Sequence, residues 1–204
     1  LSLNPDLVLT FSDLQADIAA ELILKGVDVH AFNQRSIDGI LSMISMIGSL
    51  VGASTKAEKL ITGYTKKLTT LRKKKTEVIK VYIEEWDEPL ISGILWFSEL
   101  VQVAGGTDVF SDKSKNIHAK NRIILSEDVI KANPDVIIAS WCGKKVRKEK
   151  IASRNNWQSI PAVKNDLIFE IKSPLILQPG PAALGPGLDQ ICWILDSARD
   201  RLRG

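Results

Sequence analysis

The run TKAEKLITGYTKKLTTLRKKK, residues 55–75, is the stretch whose reading decides the fold. Thr55-Lys56-Ala57-Glu58 fits a capping box, in which the threonine hydroxyl accepts an orphan backbone N–H and the glutamate reaches back to the cap. Ala57, Leu60, Ile61, Tyr64, Leu68 and Leu71 then recur at three- and four-residue steps and share one helical face. Arg72-Lys73-Lys74-Lys75 puts positive charge at the carboxyl end, where unpaired carbonyls favour it. At 1.5 Å per residue such a helix is about 30 Å long, enough to join two lobes.

The flanks read as α/β on both sides. Leu7-Val8-Leu9-Thr10 is a short buried strand, and Ser12 or Asp13 caps a helix with Leu14, Ile18, Leu22 and Ile23 on its stripe, ending at Lys25-Gly26. Val27 to Phe32 is a second strand. Ser36 caps a helix with Ile37, Ile40, Leu41, Ile44 and Ile47 inward, interrupted at Gly48 and Gly52. After the long helix, Val78 to Ile83 is a strand followed by a long acidic loop, Glu84 to Leu90. Ser98 caps the next helix, Asn116 to Ile124 is irregular, and Ser126 opens a short helix. Leu167 to Ile171 is a strand, and Gln178-Pro179-Gly180-Pro181 leads into a final helix through Leu195. Asn-Pro-Asp followed by a β run occurs twice, at Asn4 and at Asn133, so the halves are built alike. The expected organisation is a partial amino-terminal α/β lobe over 1–53, a connecting helix over 54–75 and a carboxyl-terminal α/β lobe over 76–204.

The totals narrow the function classes. With 204 residues, 45% of them hydrophobic, the chain buries a sizeable core. A net charge of +3 is small, and its excess sits in Arg72 to Lys75 and in Lys144 to Lys150, which read as solvated helix ends and give no nucleic-acid face. Cys142 and Cys192 form no C-x-x-C pattern and read as two buried thiols. No segment reaches the roughly 20 apolar residues of a membrane span. Leu1 to Asp6 has no basic region or cleavage site, and the chain opens as though cut from something longer.

Glycine-rich nucleotide loops and a nucleophile elbow are absent, and His30 and His118 have no partners in sequence that would hold a metal. Ligands of open α/β sheets sit outside the carboxyl ends of the strands. Those loops carry Phe11, Ser12, Asp13, Phe32, Asn33, Glu85, Trp86, Trp141, Lys172 and Gln178, with Trp96 at the mouth of the following helix. Flat rings in such loops suit a bulky, partly apolar ligand. Trp193 and Trp157 read as packing residues. A rival reading takes Glu84 to Glu88 as the acids of a small α/β enzyme, and a third is a cytosolic binding or sensor module.

Pro5-Asp6-Leu7-Val8 with its following aromatic, Trp86 to Gly93, Leu100 to Gly106, Asn133 to Ile138 and Trp157 to Val163, taken in order around the long helix, resemble the cobalamin and ferric-siderophore solute-binding proteins of ABC importers, the vitamin-B12-binding branch most closely. The resemblance implies two α/β lobes joined by one helical backbone, with a ligand in the cleft between them. It implies no catalysis, a periplasmic or cell-surface location and a membrane permease as partner, docked through one acid per lobe, at Asp17 and Glu127. The ligand it implies is a corrinoid, with an iron chelate or haem as the alternative. Aromatic rings would cover its apolar faces, and Ser12, Asn33, Lys172 and Gln178 would meet its amides or carboxylates. The family usually carries basic residues near Gln178 and Ala182, which weighs against an anionic siderophore here. It also usually has a further strand-helix-strand portion ahead of Leu1, so the first lobe is expected to be incomplete and to be covered by a partner chain, a homodimer or a domain swap.

Overall fold

The computed structural model describes residues 2–74 and 76–203. Leu1, Lys75 and Gly204 lie outside the described residues; they are the first residue of the expected amino-terminal lobe, the last of the connecting helix and the last of the carboxyl-terminal lobe. The chain divides into two compact units, one ending at Arg35 and the other beginning at Ser36.

The first unit holds β1 (Val8–Phe11), α1 (Ala16–Leu24) and β2 (Val29–Phe32). The two strands pair in parallel, Val8 opposite Val29 through Phe11 opposite Phe32. A single 3-10 turn at Asp13–Gln15 precedes α1, and the Ser12 hydroxyl accepts from the Leu14 N–H at 3.2 Å, as its reading as a cap requires. Gly26, at φ 77°, ends the helix where expected. The expected inner stripe is not buried: Leu14, Ile18 and Ile23 are exposed, Leu22 is half-buried, and Ala19 is buried instead. Two strands of four residues offer too little area to cover the face of a nine-residue helix.

The second unit opens with α2 (Ile37–Leu50), whose Ser36 hydroxyl accepts from the Gly39 N–H at 3.1 Å. Ile37, Ile40 and Ile44 are buried as predicted, but the helix runs through Gly48 and stops only at Val51-Gly52. The long helix, α3 (Ser54–Lys73), follows. It begins one residue ahead of Thr55, with Ala53 at the cap position and no side-chain cap bond, so the expected capping box does not form. Ala57 and Leu68 are buried, Ile61, Tyr64 and Leu71 pack against the core, and Leu60 is exposed.

Next comes β3 (Ile79–Asp87), which runs four residues past its predicted end and turns at Glu88-Pro89, a cis peptide, into antiparallel β4 (Leu90–Ser92). The expected acidic loop is therefore a hairpin. Helix α4 (Leu95–Val103) starts after Ile94, so Ser98, predicted as its cap, lies buried inside it. Then follow β5 (Gly106–Asp108), α5 (Ser111–Ser114), α6 (Ser126–Ala132), β6 (Val136–Ala139), α7 (Lys148–Ala152), α8 (Pro161–Lys164), β7 (Ile168–Glu170), α9 (Ser173–Ile176) and α10 (Leu188–Arg203).

The sheet order is β4-β3-β6-β7, and β3 is long enough that its first residues also pair with β5. Strands β5, β6 and β7 run parallel to their neighbours, so their carboxyl ends open on one side. Side-chain alternation divides the core in two. Val81, Ile83, Val136 and Ile138 face α2, α3, α4 and α10. Tyr82, Ile137, Ala139 and Ile168 face Val129, Ile151, Trp157 and Ile160. On α10, Leu188, Ile191, Leu195 and Ala198 form the buried stripe, while Trp193, expected among them, is 64% exposed and meets Phe169 edge to face. Two residues beyond Ile191, it is turned about 200° away from that stripe. Of the two cysteines expected to be buried, Cys142 is exposed and Cys192 half-buried.

Candidate functional site

The carboxyl ends of β3 and β6 carry acids and indoles that are held from several directions. Glu84, with no solvent exposure, takes both guanidinium nitrogens of Arg154 and accepts from the Trp141 indole N–H at 3.0 Å. Burial and the negative charge of Glu84 push the neighbouring Tyr82 phenol well above its ordinary range. Glu85 pairs with Arg122, which is itself 2% exposed and also donates to the Ser92 carbonyl. Asp87, buried to 4% exposure, takes Lys144 at 2.5 Å and Lys150 at 2.9 Å. Burial alone would raise the Asp87 carboxyl, but the two ammonium groups outweigh it and hold it below the usual carboxylate range.

Over this floor lie the rings. Trp86 is half-buried and donates its indole N–H to the Glu88 carbonyl at 2.8 Å. Trp141 is 2% exposed. Lys144 reaches over both, 4.1 Å from the Trp86 centroid and 5.0 Å from that of Trp141. At the end of β7, Glu170 accepts from the Val146 N–H and pairs with Lys172 at 2.8 Å. Lys148 lies 5.5 Å from the Phe169 centroid. Lys145 and Arg147, on the same segment, are exposed and have no carboxylate at ion-pair distance among the described residues.

Of the predicted residues, Trp86 and Trp141 lie within reach of one side chain, Lys144, while Glu85 on β3 turns to Arg122. Trp96 is enclosed in the core and donates to the Ile176 carbonyl at 2.7 Å. Gln178 is exposed beyond α9. In the first unit, Phe11 is exposed at the end of β1 with the Arg35 guanidinium 5.9 Å from its ring, and Asp13 pairs with Arg35 at 3.1 Å. Ser12 is occupied as the cap, Phe32 is buried against His30, and Asn33 is exposed. Asp17 and Glu127 are exposed in the first turns of α1 and α6, where helix ends favour acids. Sequence reasoning missed Arg122, Lys144, Lys150 and Arg154; for the last three the signal was the match of cations at 144–154 to the acids at 84–88. Among the described residues, no group of three or more His, Cys, Asp or Glu side chains is placed to hold a metal ion, and no helix is long and apolar enough to cross a membrane.

Residues 1–175 match the sequence model of the periplasmic binding protein family. The chain belongs to that family. A curated relative, the uncharacterized ABC transporter substrate-binding lipoprotein YvrC of Bacillus subtilis (strain 168), is 29% identical over 199 residues, covering 89% of this chain and 59% of the relative. The chain therefore spans about three fifths of the length of that relative. Among solved periplasmic binding protein folds, an ABC transporter substrate-binding protein from Listeria monocytogenes EGD-e superposes with a TM-score of 0.81 at 20% identity, over 95% of this chain and 77% of the other. The vitamin B12 binding protein BtuF of Vibrio cholerae gives 0.71 at 22% identity, over 97% and 76%. The heme-binding protein RhuT from Roseiflexus sp. RS-1 gives 0.78 at 19% identity, over 97% and 78%. These likenesses establish the α/β solute-binding fold that the sequence resemblance implies.

Proposed function

We propose that this chain is the substrate-binding part of an ABC importer and holds a bulky metal chelate, a cobalamin-like corrinoid in the first instance, without turning it over. The observation that carries the reading is the half-buried Trp86 ring beside Trp141 at the carboxyl ends of β3 and β6. Its place at strand ends suits a ligand site in an open α/β sheet, and its flat apolar face suits a macrocycle. The family and the curated relative's name support the importer role. Lys172, Gln178 and Glu85 complete the proposed contacts of the second unit, and Phe11, Ser12, Asp13, Phe32 and Asn33 are those proposed for the first. In this reading the protein works outside the cytoplasmic membrane, and Asp17 and Glu127 meet the permease.

A second ligand class has its own support. Lys145 and Arg147, exposed on the segment that follows Trp141, add positive charge there, which favours an anionic iron chelate or haem over a neutral corrinoid. Calorimetric titration with cyanocobalamin, hemin and a ferric hydroxamate separates these, since such ligands absorb where tryptophan emits and confuse a fluorescence readout. Saturable heat with one of them, weakened at least tenfold by Trp86→Ala, supports the reading. No saturable heat with any of the three sinks it.

A further inference from the structure

The ammonium of Lys144 sits where an aromatic cage would place a bound cation. It is 4.1 Å from the Trp86 ring centre, 5.0 Å from that of Trp141 and 2.5 Å from Asp87 Oδ1. Each of those three groups is anchored independently of it. Trp86 is held by the Glu88 carbonyl, Trp141 by Glu84 and Asp87 by Lys150. The cage therefore keeps its shape when the lysine leaves. Without Lys144, two carboxylates, Asp87 and Glu88, face one ammonium, Lys150, so the empty slot carries a net charge of about −1 and two π faces. Lys144 itself is easily withdrawn: it lies on an exposed turn next to Gly143, whose φ is 72°, and its side chain is 41% exposed.

We propose that Trp86, Trp141 and Asp87 form a cation-recognition slot which the protein fills with its own Lys144, and that the external ligand of this slot carries an alkylammonium group. This rests on the reading above that the carboxyl end of β3 faces the ligand. Tethering gives Lys144 an effective concentration of the order of millimolar, so a small free amine competes poorly. A larger ligand, held by its other parts, presents its ammonium at comparable effective concentration and displaces the lysine. Lys144 then acts as a placeholder that keeps the indoles covered until such a ligand arrives.

Titration of Lys144→Ala with n-butylammonium and with tetramethylammonium, read by tryptophan emission, tests the slot directly, with n-butanol as the uncharged control. Saturable quenching is expected in the variant at millimolar cation, at least tenfold weaker in the unmodified protein and in Lys144→Ala/Trp86→Leu, and absent with n-butanol. Lys144→Gln, which keeps the length of the stem without the charge, is expected to lie between the two and guards against a folding artefact. Equal responses to cation and alcohol, or no saturation in either Lys144 variant, overturns the proposal. Alkylammonium binding without binding of any metal chelate leaves the slot standing and removes the importer reading; chelate binding without alkylammonium binding does the reverse.

Discussion

Arg154 meets Glu84 through two hydrogen bonds, Nη1 to Oε2 at 2.5 Å and Nη2 to Oε1 at 3.0 Å, on a carboxylate that no solvent reaches. The pair joins the segment after α7 to the carboxyl half of β3, and the guanidinium also lies 4.6 Å from the Trp157 ring centre. Breaking one side of a buried pair leaves an uncompensated charge. Arg154→Ala is therefore expected to lower stability by about 3–5 kcal/mol. Urea denaturation measures it, and adding Glu84→Gln should restore part of the loss. A cost below about 1 kcal/mol for Arg154→Ala would show that solvent reaches Glu84.

Asp108 is buried to 4% exposure, and burial pushes its carboxyl up to about 6 although the Phe110 N–H donates to it. Its raised folded-state value means that the native chain binds the proton more tightly than the unfolded one. Stability is thus full below the unfolded carboxylate range near 4 and falls as pH rises through 6. Asp108→Asn, which keeps an acceptor for Phe110, is expected to gain on the order of 2–3 kcal/mol at pH 7.5 and little at pH 4. Thermal melts across that range check it; equal melting shifts at both pH values would refute it.

The tryptophans divide sharply by burial. Trp193→Ser, at a 64% exposed position, should change stability by no more than about 0.5 kcal/mol. Trp96→Ala removes a 2% exposed ring and its hydrogen bond to the Ile176 carbonyl, and should cost about 3–5 kcal/mol. Equilibrium denaturation of the two variants side by side gives the contrast.

For the proposed permease contacts, charge reversal separates docking from ligand capture. Asp17→Lys and Glu127→Lys lie on exposed first turns and should leave the melting temperature within a few degrees. They should also leave chelate affinity unchanged while cutting uptake by cells at least tenfold. Undiminished uptake by the double variant removes these two residues from the docking surface.

What could be read in advance was whatever depends on near neighbours in the chain. Ser36 with the Ile37, Ile40 and Ile44 stripe, Gly26 as a helix stop and the all-apolar strand Val136–Ala139 follow from local propensity and period, and each stands where expected. The strand through Glu84 to Asp87 did not read as one, because three acids in four residues look solvated unless their partners are known. Those partners, Arg122, Lys144, Lys150 and Arg154, come from 37 to 70 residues away. The same distance explains the site: Trp86 and Trp141 were placed at strand ends by pattern alone, whereas the lysine spanning them depends on the pairing of β3 with β6. Helix α1 and Trp193 show the opposite limit, where a sound apolar stripe or spacing stays exposed.

Cys142 stands exposed directly after Trp141, whereas burial pushes the half-buried Cys192 thiol above its usual range and leaves it the less reactive of the two. A maleimide dye at neutral pH should consequently attach at one place, within a residue of the indole pair. The unmodified chain thus comes with its own attachment point for a reporter whose colour or brightness registers whatever enters beside it, and screening of unknown cargo can proceed without engineering a handle.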